Sequence, residues 1–170
     1  MLNFHVAIVS VLVTAQVITA LPNGAPLSAC GSMTPSHIPI FFYQRNGPFV
    51  LEVSSESASV DSPITVTLKT DDSPDSTYFR GYLIQARSGN STTSIGTFVT
   101  TGQINKGKLM SCPGGTANAV THTSRSNKSE ETFSWSPPKG FTGKVTLKAT
   151  VVASYTRIYR NILSKEVTVS

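Results

Sequence analysis

The residues best suited to chemistry in this chain are two cysteines and the histidines that follow them. Cys30 precedes His37 with six residues between them, and Cys112 precedes His122 with nine between them. Thiolate and imidazole groups are zinc ligands, so this repeated pairing is compatible with a metal site. A disulfide would remove both thiolates, and two histidines alone do not supply the three or four protein ligands of a zinc site. We therefore predict no metal and no cofactor.

The N-terminus indicates in which compartment the cysteines reside. The first twenty residues contain no Lys, Arg, Asp or Glu, and residues 6–20 are almost wholly apolar. A Leu-Pro-Asn-Gly turn follows the small Ala20, which is typical of a cleaved signal peptide and not of a membrane-spanning helix. We predict a signal peptide at residues 1–20 and one secreted domain at residues 21–170, with no integral membrane segment. In an oxidising compartment two cysteines of one small domain usually pair, so we expect them to form a disulfide.

Signatures of catalysis are poor. The chain has only nine Asp and Glu residues, and it contains no Gly-x-Ser-x-Gly elbow, no Walker loop and no His-Glu-x-x-His motif. We predict that the protein is not an enzyme. Arg87 is a candidate for binding an anionic ligand, but pairing with a carboxylate or with backbone carbonyls is the commoner role of such an arginine. His37 and His122 are likewise candidates for either a ligand site or a structural polar site.

Two tripeptides match the acceptor pattern for N-linked glycans. They are Asn90-Ser91-Thr92 and Asn127-Lys128-Ser129, and both fall in polar, turn-like segments. Chance occurrence is the alternative in a chain rich in Ser and Thr. Because secretion favours their use, we predict glycans on Asn90 and Asn127.

Positive charge is concentrated in the C-terminal half of the chain. The net charge is +5, yet residues 21–79 carry two Lys or Arg against six acids, whereas residues 80–170 carry twelve against three. This imbalance favours a basic surface that attracts anionic polymers or lipids, although a merely solubilising surface is the alternative. Six residues are the candidates for such a surface: Lys106, Lys108, Arg125, Lys128, Lys144 and Lys148.

Alternation of apolar and polar residues with period two dominates the chain. Residues 64–70 and 144–153 place apolar side chains on one face and Thr or Lys on the other, which is the pattern of half-buried strands. Seven further segments are strand candidates, and turn signals separate them: residues 49–54, 79–87, 95–99, 108–111, 119–123, 131–135 and 161–169.

These strands predict an all-β fold. We expect an immunoglobulin-like antiparallel β-sandwich of about eight to nine strands, with a closed barrel as the alternative. Residues 21–48, here called the leader, are rich in Pro and Gly and lack alternation. A disulfide from Cys30 to Cys112 would pin this irregular leader onto the sandwich.

Eight short motifs, taken in order, resemble those of the reelin (reeler) domain family, and most closely those of single-domain insect defence proteins. They are Gly24-Ala-Pro26, Cys30 with Met33-Thr-Pro35 and His37, Gly81-Tyr-Leu-Ile-Gln-Ala-Arg87, Gly96-Thr-Phe98, Lys108-Leu109 with Cys112, Val120-Thr-His122, Trp135-Ser-Pro137 and Gly143-Lys-Val-Thr-Leu-Lys-Ala-Thr150. One departure is Ile158-Tyr159, where many relatives have an aromatic pair ending in Trp.

The resemblance implies an immunoglobulin-like sandwich and a disulfide between Cys30 and Cys112. It also implies a secreted protein of innate immunity that binds microbial surfaces, with an antimicrobial or nodulation role. The expected partners are lipopolysaccharide, peptidoglycan or other anionic envelope polymers, or host extracellular proteins, but not nucleic acid, and the expected state is a monomer. Ferric-reductase activity is not expected, since 170 residues leave no room for the haem-binding modules of longer relatives. The alternative function is an extracellular matrix or adhesion protein without immune action.

Overall fold

The computed structural model describes residues 22–35, 43–44, 47–71, 73, 78–102 and 107–170. The predicted signal peptide, His37 and Lys106 lie outside the described residues. Within the described part, no helix is long and apolar enough to cross a membrane.

All nine predicted strand segments are confirmed, and two further strands of two residues each were too short to produce a readable alternation. Within the described residues there are one short helix and eleven strands: α1 Ala29–Ser32, β1 Tyr43–Gln44, β2 Phe49–Val53, β3 Ser57–Ala58, β4 Ile64–Thr70, β5 Gly81–Arg87, β6 Thr97–Thr100, β7 Gly107–Met110, β8 Ala119–His122, β9 Glu130–Ser136, β10 Gly143–Ser154 and β11 Arg157–Val169.

The strands form two sheets. The larger sheet has seven strands in the order β1-β11-β10-β5-β8-β7, with β3 paired to β11 outside that path, and the smaller sheet has the order β2-β4-β9-β6. The long pairings are antiparallel, and only the two-residue strands β1 and β3 run parallel to their partner β11. Because the sheets are separate, the predicted sandwich is confirmed and the barrel is excluded.

The main core lies between the sheets. Along β10 the inward residues Val145, Leu147 and Ala149 are at most 1% exposed, as the alternation predicts. Opposite them, Phe133 and Trp135 of β9 are fully buried. The indole nitrogen of Trp135 donates a hydrogen bond to the carbonyl oxygen of Ile95 at 3.1 Å, so its single polar atom is satisfied inside the core.

A second, smaller core lies on the outer face of the seven-stranded sheet, beneath the leader. Its members are buried together: Ala29, Cys30, Met33, Leu83, Met110, Cys112 and Ala119. Strand β5 is consequently buried along its whole length, because the opposite sheet covers one face and the leader covers the other. The outward residues of β5 therefore meet the leader and not water.

Candidate functional site

The leader is bound covalently to the large sheet. Cys30 in α1 forms a disulfide with Cys112, with the sulfur atoms 2.00 Å apart and the Cα atoms 5.7 Å apart. This confirms the predicted bridge and the pinned leader. Further along, the hydroxyl of Thr150 on β10 donates a hydrogen bond to the carbonyl oxygen of Met33 at 2.7 Å. The leader thus runs across the outer face from the bridge toward β10.

Arg87 holds the C-terminal end of α1. Its Nη2 donates to the carbonyl oxygens of Cys30 at 2.7 Å and Gly31 at 2.9 Å, which are groups that a helix end leaves without internal partners. Its Nε and Nη2 also donate to Oε1 of Gln85, at 2.9 and 2.7 Å. The side chain is only 6% exposed, and this burial lowers the pKa of Arg87. Of the roles considered for Arg87, binding backbone carbonyls is the one the geometry displays.

Two further cations lie beside Arg87 on the same face. Lys148 on β10 is the register partner of Gln85, while Thr146 is the partner of Arg87, so Lys148 and Arg87 are diagonal neighbours on adjacent strands. Such neighbours have Cα atoms roughly 7–8 Å apart, within reach of long side chains. We call Arg87, Lys148 and Arg160 the cation cluster.

Arg160 enters the cluster through an irregularity in β11. Val151 pairs with Tyr159 and Ala149 pairs with Ile162, so two residues of β11 stand opposite the single residue Thr150. The extra residue is Asn161, with φ of 58°, which is the geometry of a β-bulge. Because Tyr159 and Ile162 both face the main core, Arg160 between them is left on the outer face.

The charges of the cluster interact with one another. Lys148 is half-buried, and its pKa is lowered first by burial and then by the positive charges of Arg87 and Arg160. Neither Arg87 nor Lys148 forms an ion pair with a carboxylate in the part of the chain that the structure describes. The charges of Arg87 and Lys148 are therefore not neutralised by a described carboxylate, and both side chains lie in a partly desolvated setting.

The other predicted basic residues that the structure describes do not join this cluster. Lys144 forms an ion pair with Glu166, with Nζ and Oε1 2.6 Å apart. Lys108 is exposed on β7, three strand spacings from β10, which corresponds to roughly 14 Å. Arg125 is exposed in the loop after β8. The described members of the predicted basic surface are thus dispersed, and among them only Lys148 belongs to the cluster.

Lys128 was placed wrongly by the sequence pattern. It is 4% exposed, and its ammonium donates to the carbonyl oxygens of Arg80, Ser124 and Ser126 at 2.8, 2.8 and 2.9 Å. The backbone of Lys128 also pairs with that of Phe79 in an isolated bridge, which draws the side chain inward. Lys128 is a structural anchor of the loop and not a surface cation.

His122 lies at the end of β8, beside Tyr82. Its Nδ1 is 3.2 Å from the backbone nitrogen of Tyr82, and the two rings are 6.0 Å apart between centroids. Burial and the nearby carboxylate of Glu131 raise the pKa of Tyr82. Among the described residues, no three His, Cys, Asp or Glu side chains are grouped as metal ligands would be.

Both glycan acceptor residues are exposed. Asn90 lies in a turn closed by a hydrogen bond from the backbone nitrogen of Ser91 to the carbonyl oxygen of Ser88. Asn127 accepts a hydrogen bond from Nε of Arg80 through Oδ1, at 3.2 Å, which leaves its amide nitrogen available for linkage. Glycosylation at both positions stays a prediction.

Comparison with known proteins assigns this arrangement to a family. Residues 28–170, which include both cysteines and the cation cluster, match the family described as the Reeler domain. The chain belongs to the Reeler domain family. Its likeness to the crystal structure of the human F-spondin reeler domain has a TM-score of 0.57 at 25% identity, and covers 75% of this chain and 94% of that one.

Curated relatives of this Reeler chain carry defence names. The "Putative defense protein" of Bombyx mori is 35% identical over 149 residues, which are 86% of this chain and 84% of that protein. "Putative defense protein 3" of Antheraea mylitta is 32% identical over 173 residues, covering 99% of this chain and 97% of that protein. A defence role is therefore suggested for this Reeler chain.

Sequence reasoning missed Arg160. A bulge interrupts the alternation of inward and outward side chains along β11. The face on which Arg160 lies therefore does not follow from counting alternate residues. The only available signal was Asn161 directly after it, since Asn tolerates the positive φ that such bulges use.

Proposed function

We propose that this Reeler chain is a secreted defence protein that binds anionic polymers of microbial envelopes and has no enzymatic activity. The cation cluster carries the proposal, since it presents positive charge that no described carboxylate neutralises at Arg87 or Lys148. Cations without a neutralising partner attract polyanions from a distance and bind them on contact. The defence names of the relatives supply the biological setting.

A polymer suits this surface better than a small ligand does. Lys108 lies on the same sheet as the cluster, across the leader and roughly 14 Å from β10. A chain with repeated negative charges reaches both positions, whereas one small anion does not. Two weak contacts on one polymer reinforce each other through effective concentration.

An extracellular location agrees with the chemistry of the fold. The disulfide between Cys30 and Cys112 persists in an oxidising environment and is rare in the cytosol. The predicted signal peptide also favours an extracellular location. A defence protein acting on microbial envelopes requires this location.

The test is retention of the purified secreted protein on immobilised lipopolysaccharide, peptidoglycan and whole bacteria. We expect retention at low salt that declines as salt screens the charges. The variant Lys148→Gln/Arg160→Gln should bind more weakly than the charge-matched control Lys139→Gln/Lys144→Gln, which removes two exposed cations elsewhere. No retention of the wild type on any of these materials at low salt would refute the proposal, and equal losses in both variants would refute the role of the cluster.

A further inference from the structure

Lys148 differs from the other lysines that the structure describes. Three of those form ion pairs with glutamates: Lys69, Lys144 and Lys165. The ammonium of Lys128 is buried against three carbonyl oxygens, while Lys108 and Lys139 are exposed. Lys148 is half-buried on the outer face of β10, and no described residue binds its ammonium through a hydrogen bond or an ion pair. Among the described lysines it alone combines partial burial with an unoccupied amine.

The surroundings of Lys148 disfavour its charged form. Its register partner on β5 is Gln85, which is fully buried beneath the leader, and its partner on β11 is the aliphatic Leu163. The charged groups that act on it are Arg87 on β5 and Arg160 on β11. Burial first, and then these two positive charges, lower the pKa of Lys148. A larger share of Lys148 is therefore the neutral amine than in an ordinary exposed lysine.

Arg87 places a fixed hydrogen-bond donor beside this amine. Its Nε and Nη2 are occupied by bonds to the leader and to Gln85, which hold the guanidinium in one position. No described residue accepts a hydrogen bond from the remaining amino group, Nη1. A buried side-chain nitrogen without a partner is found at neither Arg87 nor Lys148, so Nη1 and Nζ both reach solvent. A fixed cationic donor and a reactive amine thus lie on adjacent strands.

We propose that Lys148 is a nucleophilic amine that forms an imine with aldehydes carrying an anionic group, and that Nη1 of Arg87 binds that anionic group. This inference goes beyond the proposed function and does not depend on it. The neutral Nζ attacks the carbonyl carbon and a C–N bond forms. The carbonyl oxygen then leaves as water with the two hydrogens of the amine, so the reaction needs neither an oxidant nor a reductant.

The geometry supplies what such a reaction requires. A lysine becomes a nucleophile when it is desolvated or lies next to another cation, and Lys148 meets both conditions. Arg87 is its diagonal neighbour, with Cα atoms roughly 7–8 Å apart, so one small molecule spans the amine and the guanidinium. The side chain of Leu163 is 55% exposed directly opposite Lys148, and it offers an apolar surface to the body of the aldehyde.

The experiment treats the full secreted protein near neutral pH with pyridoxal 5′-phosphate, an aldehyde with a phosphate group on the adjacent ring carbon. A parallel reaction uses pyridoxal, which carries the same aldehyde without the phosphate. Sodium cyanoborohydride reduces each imine to a stable secondary amine, and peptide mass mapping gives the rate of labelling at every lysine. A third reaction adds inorganic phosphate to compete for Arg87, with sodium chloride at equal ionic strength as its control.

We expect pyridoxal 5′-phosphate to label Lys148 at least about three-fold faster than the exposed Lys139, because the amine of Lys148 is the more nucleophilic. Pyridoxal should show a smaller preference, and inorganic phosphate should reduce the preference of pyridoxal 5′-phosphate to that level. Lys148→Arg should remove the preferred label and leave the others. The matched control is Lys144→Arg on the same strand, whose cation is paired with Glu166, and it should change the rate at Lys148 by less than about two-fold.

Two results would overturn the inference. Equal rates at Lys148 and Lys139 would show that the amine of Lys148 has no special reactivity. An equal preference with pyridoxal, or one that inorganic phosphate leaves unchanged, would show that Arg87 does not bind the anionic group. Both comparisons are made within the wild-type protein, so neither depends on the folding of a variant. Selective labelling of Lys148 without retention on bacterial envelopes would support this inference and refute the proposed function.

Discussion

Replacement of both bridge cysteines tests the idea that the disulfide supplies a large part of the stability of this fold. The variant is Cys30→Ala/Cys112→Ala, in which alanine replaces a small buried apolar group without adding a hydroxyl. The two cysteines are 82 residues apart. In the chain-entropy description of cross-links, a loop of that length stabilises the folded state by about 4.5 kcal/mol at 25 °C.

The same magnitude converts into a melting temperature. Unfolding entropy is about 2.1 cal/mol/K per residue, so a Reeler domain of this size loses about 15 °C in Tm when it loses about 4.5 kcal/mol. The backbone carbonyl of Cys30 and its contacts with Arg87 and Gln85 are retained in the variant, so they do not enter the difference. The expected loss therefore reports on the cross-link together with one weak contact, the hydrogen bond that Nε2 of Gln85 donates to Sγ of Cys112 at 3.3 Å.

Urea unfolding followed by fluorescence is the assay, since the single tryptophan, Trp135, is fully buried in the main core and reports on the sandwich. Limited proteolysis follows the leader separately. Wild-type protein with reductant is the matched control and should fall to the level of the variant, while reductant leaves the variant unchanged. A difference in unfolding free energy below about 1 kcal/mol, with a leader that resists protease in both proteins, would refute the reasoning.

Three further outcomes are expected. A Cβ at Gly107 would lie 2.2 Å from the hydroxyl oxygen of Tyr82, so Gly107→Ala should lower the unfolding free energy by about 1–3 kcal/mol in a urea titration, and an unchanged midpoint would contradict this packing. Lys128→Met leaves three carbonyl oxygens without their donor and should lower the free energy of unfolding by about 1–3 kcal/mol, as measured by thermal melts. Full stability of this variant would contradict the buried position of Lys128. Asn90→Gln and Asn127→Gln should each remove one glycan from protein secreted by eukaryotic cells, as read by intact mass, and unchanged masses would show that the sequons are unused.

Strand prediction succeeded where one face of a strand is covered. The alternation in residues 144–153 predicted which side chains of β10 are buried, because a half-exposed strand must place its apolar residues on one side. On β5 the alternation breaks down, since Leu83 and Arg87 are buried on the outer face. That burial depends on a distant leader, which no local pattern encodes.

The residues of the candidate site likewise fall into those whose role the sequence predicted and those whose role it did not. The bridge between Cys30 and Cys112 was predictable, because the number of cysteines and the predicted signal peptide leave one obvious pairing. The fates of the basic residues were not predictable. Lys128 is buried by three carbonyl oxygens that converge only in the folded loop, and Lys144 is neutralised by Glu166 on the neighbouring strand.

The sequence by itself determined the fold class, the strand positions, the bridge and the family resemblance, since each depends on local periodicity, on residue counts or on short ordered motifs. Only the tertiary structure decided which cations meet. Arg87, Lys148 and Arg160 come from three strands, and their proximity depends on strand order, on register and on one bulge. Charge acts through distance in space, and distance along the chain does not report it.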